Sequence, residues 1–188
     1  CREHDVIPVV VLGRPYTIYT SVLNSNVPPL LREQGAIGIP IDCYEVSDDV
    51  PTFEGVYWGH GQKNLRAAHQ IRRTPGLYSI WCSNYSCGPD SFNLHFFSYA
   101  MAGRPFAVIE TDGHSGDAGT KTRIEAFLHC VREDLARVDV DHQRRMPRAQ
   151  QNAAALATAL DNLARMVEQR GRLDEAMAIK LESIGIRR

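Results

Sequence analysis

The chain has 188 residues, 21 Lys and Arg against 22 Asp and Glu, 44% hydrophobic residues and five cysteines. This near-neutral charge argues against a nucleic-acid or anionic-membrane surface as the main business, and 23% charged residues is ordinary globular composition rather than disorder. No apolar run approaches the roughly 18 residues that a membrane-spanning helix needs.

The opening residues Cys1 to Asp5 are polar and charged, without a signal-peptide core. The chain starts without Met, so we expect a piece of a longer protein or a processed product, cytoplasmic in location. An odd number of cysteines with no secretory signal reads as reduced thiols rather than a disulfide framework.

Four repeats of one pattern follow. The β-branched run Ile7 to Leu12 reads as a buried parallel strand, ending in the loop Gly13-Arg14-Pro15-Tyr16. Pro28 opens a helix that stops at Gly35. A second strand, Ala36 to Ile41, turns at Asp42-Cys43 into an acidic loop, Glu45 to Glu54. Leu65, Ala68 and Ile71 then mark a helix from Gln62 to Arg73.

The third strand is Leu77 to Trp81, followed by a loop from Cys82 to Gly88. Pro89-Asp90-Ser91 looks like the first turn of a helix through Met101, closed by Gly103. The fourth strand runs from Pro105 to Ile109, its loop from Glu110 to Gly119, and a helix from Lys121 to about Arg137 completes the set.

Strands alternating with helices imply right-handed crossovers and a parallel sheet covered on both faces. We expect a three-layer α/β domain over residues 1–137, with about four parallel strands in a flavodoxin/Rossmann-like arrangement. Residues 138–188 change character. All fifteen aromatic residues lie between Tyr16 and Phe127, and the last 61 positions have none. Leu156, Leu160, Leu163 and Val167 form one amphipathic stripe, and Leu173, Met177, Leu181 and Ile184 repeat it. The expectation there is a helical tail or a linker to a further module.

In open parallel sheets, ligands gather outside the carboxyl ends of the strands. Arg14, Asp42 with Cys43, Cys82 to Cys87, and Glu110 to Asp117 all fall on that rim. Cys87-Gly88-Pro89-Asp90-Ser91 is the sharpest motif, because a Cys before a helix N-terminus has its thiolate favoured by free N–H groups. Such a sulfur can attack as a nucleophile or ligate a soft metal or an iron–sulfur cluster; the plain alternative is an inert Cys in a tight turn. Cys43 and Cys82 are either helpers to Cys87 or small buried hydrophobes. Cys130 is expected in the core.

The loop carrying Glu110, Asp112 and His114 is either a hard-metal or acid/base site or simply turn chemistry. Arg14 and Arg123 are candidate anion binders, with Asn84, Asp90 and Ser91 beside them. Tyr57-Trp58 is either a pair that stacks on a ligand or, as we expect, a core corner. Gly59-His60-Gly61 lacks the dinucleotide fingerprint and no phosphate-binding loop motif occurs, so no nucleotide is expected on this piece.

Gly13-Arg14-Pro15-Tyr16, Asn26-Val27-Pro28-Pro29-Leu30, Tyr57-Trp58, Ser86-Cys87-Gly88-Pro89-Asp90, and Glu110 through Gly119 with Thr122-Arg123 occur in that order. Across residues 7–131 the chain resembles the domain of acyl-CoA dehydratase activase-related proteins, relatives of the 2-hydroxyglutaryl-CoA dehydratase system. The resemblance implies ATP-driven electron transfer at low potential, with ATPase activase and dehydratase modules as partners and acyl-CoA as a possible ligand. It also implies a [4Fe-4S] cluster for which Cys87, Cys43 and Cys82 are the candidate ligands. A non-catalytic docking module and a metal-free CoA-thioester binder are the alternatives.

Overall fold

A computed structural model describes residues 6–111, 117–142 and 160. Strand β1 (Ile7–Gly13) is buried along its whole length, and Val9, Val10 and Leu12 are fully enclosed. Each such side chain contributes on the order of 1.5–3 kcal/mol by leaving water. Pro8 is tolerated in this central strand because pairing with the third strand begins only at Val9.

Two short helices follow, α1 (Pro15–Tyr19) and α2 (Val27–Glu33), before strand β2 (Ala36–Pro40) and a 3₁₀ turn at Ile41–Cys43. Helix α3 (Gly59–Arg73) leads to β3 (Tyr78–Asn84), α4 (Gly88–Ala100) to β4 (Phe106–Thr111), and α5 runs Asp117–His142. All strand pairs are parallel, in the order β2-β1-β3-β4. Helix α2 packs with α5 and α3 with α4, giving the three layers expected from right-handed crossovers.

The α/β class with four parallel strands is as expected; the strand order is not legible in the sequence, and several element boundaries differ. Helix α1 stands where the sequence reads as a loop, because five residues are too few for a periodic signal. Strand β3 extends to Asn84 and β4 to Thr111, since these two residues still pair with each other. Polar residues at the strand ends therefore belong to the ladder rather than to loops. Helix α5 crosses the expected boundary at 137 and continues to His142, no breaker standing before Pro147. The remainder of the 138–188 segment lies outside the described residues, apart from Leu160. Among the described residues, no helix is long and apolar enough to cross a membrane.

Candidate functional site

The order β2-β1-β3-β4 fixes where a crevice forms. The chain leaves β1 toward β2 on one side and returns through α3 to β3 on the other. The carboxyl ends of β1 and β3 are therefore a topological switch point, where ligands of doubly wound sheets bind. Gly13 and Cys82 are partners in register there. Helix α1 contacts both strands.

The turn out of β1 is built without slack. Gly13 has φ +145°, and a Cβ on it would lie 2.6 Å from the Cys82 carbonyl oxygen and 2.8 Å from Thr17 Oγ1. Asn64, on α3 and 1% exposed, holds the same residue: its Nδ2 donates to Gly13 O (2.9 Å), and Gly13 N donates to its Oδ1 (3.3 Å). Thr17 Oγ1 accepts from Arg14 N (3.0 Å) and donates to Arg14 O (2.8 Å). Arg14 is thereby aimed across the crevice.

From the other side, β3 ends in a turn pinned to β4. Asn84 Nδ2 and Tyr85 N both donate to Thr111 O. Ser86 takes a left-handed backbone, φ 61°, and Cys87 follows as the N-cap of α4. Its Sγ accepts from Asp90 N (3.3 Å), as a Ser or Asp oxygen does at other helix starts. Ser91 Oγ donates to Cys87 O (2.7 Å).

Asp90 is 3% exposed and accepts from Ser83 Oγ (2.6 Å) and from Arg14 Nη2 (3.3 Å). The same guanidinium nitrogen donates to Cys87 Sγ. Arg14 also lies over the Tyr16 ring, 4.9 Å from its centroid. Burial pushes the Tyr16 hydroxyl pKa above its ordinary value; Arg14 opposes the shift, while Cys87 and Asp90 add to it. Arg14, Cys87, Asp90 and Tyr16 thus form one electrostatic unit at the switch point. The guanidinium Nε is buried with no hydrogen-bond partner among the described residues.

No family model, curated protein or solved structure matches this chain.

The sequence-predicted residues separate into groups. Arg14, Cys87 and Asp90 come together, with Ser91 and Asn84 holding the turns around them. Cys82 lies in β3, fully buried, and burial pushes its thiol pKa up to about 12. Cys43 is fully buried in the 3₁₀ turn after β2. Cys130 is exposed on α5, not in the core as expected, because its position falls outside the buried stripe Ile124, Phe127, Leu128 and Val131. Arg123 is exposed on the same helix and lines a shallow depression between β4 and α5, with Arg104 and Phe106. Glu110 is in β4, half-buried, while Asp112 and His114 lie outside the described residues.

Tyr57 and Trp58 are exposed, so the expected core corner is corrected: the loop before α3 turns them outward. Asn64, Thr17, Ser83 and Tyr16 were missed as parts of the site. Asn64 left one sign, a polar residue on the stripe shared by Ala68 and Ile71.

A [4Fe-4S] cluster takes three or four protein thiolates. Cys87 is only partly buried and its sulfur is already met by two N–H donors, so it suits one ligand position. Cys43 and Cys82 are enclosed by core side chains. Among the described residues no group of three or more His, Cys, Asp or Glu side chains could hold a metal ion. The fit is to one ligand, not to a complete set.

Proposed function

We propose that this domain is a cytoplasmic module of an acyl-CoA dehydratase activase-related system, working in ATP-driven electron transfer at low potential toward a 2-hydroxyacyl-CoA dehydratase-type partner. The motifs quoted above support the system. The observation that carries the role of this domain is the Cys87 sulfur, which accepts from Asp90 N and Arg14 at the switch point. Hydrogen bonds to sulfur are one of the levers that tune cysteine-held iron–sulfur groups.

In this reading Cys87 is the thiolate that the domain presents. The other ligands come from ATPase activase or dehydratase modules of the same or a partner chain. A bound [4Fe-4S] cluster supplies one-electron transfer. Arg14 offsets negative charge at the sulfur, Asp90 holds the guanidinium in place, and Ser83 holds Asp90. ATP use belongs to another module.

The test is anaerobic reconstitution, with ferrous iron and sulfide, of this domain together with the ATPase activase and dehydratase modules that supply the other ligands. Protein-bound iron that is lost in Cys87→Ala and kept in Cys82→Ala supports the reading. Wild-type protein that binds no more iron than Cys87→Ala overturns it.

One observation favours a second reading, a metal-free CoA-thioester site. The guanidinium of Arg14, its Nε unpaired among the described residues, stands beside the half-exposed Tyr16 in the same crevice. This reading predicts a thermal shift with acyl-CoA that Arg14→Ala abolishes and Cys87→Ala leaves in place.

A further inference from the structure

The described cysteines occupy three different environments. Cys43 and Cys82 are fully enclosed. Cys130 is exposed on α5, with no hydrogen-bond donor on its sulfur among the described residues. Of the four, Cys87 alone is both reachable from solvent and held by a cation: it is partly exposed, and its Sγ accepts from Arg14 and from Asp90 N.

Two further features stand beside that sulfur. A Cβ built on Gly88, the next residue, meets nothing within 4 Å, so there is open space for an added atom. The Arg14 Nε is buried with no hydrogen-bond partner among the described residues, which leaves one guanidinium donor unused in the cluster. Asp90, held by Ser83, keeps the guanidinium there.

Attack of a thiol sulfur on a peroxide moves negative charge onto the departing oxygen, and a fixed cation beside the sulfur stabilises that charge. Exposure without such a cation does not make a redox-sensing cysteine.

We propose that Cys87 is a site of reversible oxidation by hydrogen peroxide, with Arg14 directing the reaction to this sulfur rather than to Cys130. The sulfur attacks one peroxide oxygen and the O–O bond breaks. The other oxygen leaves as hydroxide, takes the thiol proton and becomes water. The sulfur, oxidised by two electrons, carries the first oxygen as a sulfenic acid, which Arg14 Nε holds by a hydrogen bond. A small thiol then displaces that oxygen as water and forms a mixed disulfide. A second small thiol releases the Cys87 thiol, and the two small molecules leave joined as a disulfide. As a control on the iron ligand this rests on the reading above, because an oxidised sulfur is no longer a thiolate ligand; the oxidation itself does not.

Mass spectrometry of the iron-free full chain after hydrogen peroxide and the sulfenic-acid probe dimedone tests it. Cys87 is expected to be labelled at least about tenfold faster than Cys130, with Cys43 and Cys82 unlabelled. Dithiothreitol added before dimedone removes the label, and Arg14→Gln and Arg14→Ala bring the Cys87 rate down to that of Cys130. Comparing two cysteines within one wild-type molecule keeps the test decisive if the Arg14 variants do not fold. Labelling of Cys87 no faster than Cys130 overturns the proposal. So does a Cys87 rate that folded Arg14 variants leave unchanged, or a label that dithiothreitol does not prevent. None of these results bears on iron reconstitution, which succeeds or fails by its own measurement.

Discussion

The Arg14 Nη2 lies 3.3 Å from the Oδ2 of Asp90, and the two side chains are 22% and 4% exposed. This pair closes the switch point from both strands: Arg14 follows β1, and Asp90 sits in the first turn of α4. Removing the guanidinium leaves the Asp90 carboxylate with the Ser83 hydroxyl alone among its side-chain partners. Arg14→Ala is expected to destabilise the fold by about 1–2 kcal/mol, toward the low end for a charged hydrogen bond because Arg14 keeps some solvent access. Asp90→Ala, which empties a buried position and removes the carboxylate that Arg14 and Ser83 share, costs more. Urea midpoints of the two variants check the order; an Arg14→Ala midpoint at or above wild type contradicts it.

Gly13 and Gly88 flank the same crevice and should respond oppositely to an added methyl group. At Gly13 the new Cβ meets a backbone oxygen at 2.6 Å, and φ of +145° is strained for any L side chain. Gly13→Ala should cost about 2–4 kcal/mol. At Gly88, the first residue of α4, nothing lies within 4 Å of a built Cβ. Gly88→Ala should fall within about 0.5 kcal/mol of wild type. Thermal melts of the two variants separate them directly, and similar melting temperatures would contradict the close packing under Gly13.

Asn64 acts on the site without lining it. Its amide satisfies both the N–H and the C=O of Gly13 from the neighbouring helix. Asn64→Ala leaves two buried backbone groups unpaired and should cost about 2–4 kcal/mol. Asn64→Asp keeps an acceptor for Gly13 N but turns a carboxylate oxygen toward Gly13 O, so it rescues little. Hydrogen exchange at Gly13 reports the loss locally, and protection unchanged in Asn64→Ala would contradict the clamp.

The sheet was legible because Ile7 to Leu12 is a continuous apolar run and Leu77 to Trp81 is broken only by Ser79, a pattern that strands covered on both faces need. The clustering of Arg14 and Cys87 on one rim followed from the same alternation, since every such loop leaves a strand's carboxyl end. Which cysteine faces outward was not legible. Cys82 is buried because β3 keeps pairing with β4 as far as Asn84, and long-range register leaves no mark in a stretch of Ser, Asn and Tyr. The outward turn of Trp58 was hidden for a similar reason. An aromatic residue before a helix suits a core corner equally well, and only the packing of α3 against α4 decides.

Cys82 gives the fold an alkaline weakness with a defined window. Burial raises its thiol pKa from 9.0 to about 12, and burial likewise raises the Tyr44 hydroxyl from 10.0 to about 12 against its hydrogen bonds with Gln70 and Thr74. Above pH 9.0 the unfolded chain releases a proton that the folded chain retains, so unfolding gains and stability falls as pH rises. Below pH 9.0 the contribution is fully present; it drains away up to about pH 12. Cys82→Ala should flatten the first part of that decline, between 9.0 and 10.0, because the tyrosine begins to contribute only above it. Native-state alkylation tests the same burial at the level of the sulfur. Iodoacetamide should label Cys87 and the exposed Cys130 while sparing Cys82 until the chain is unfolded. Labelling of Cys82 at the rate of Cys87, or an alkaline melt indifferent to Cys82→Ala, would show that the sulfur is open to solvent.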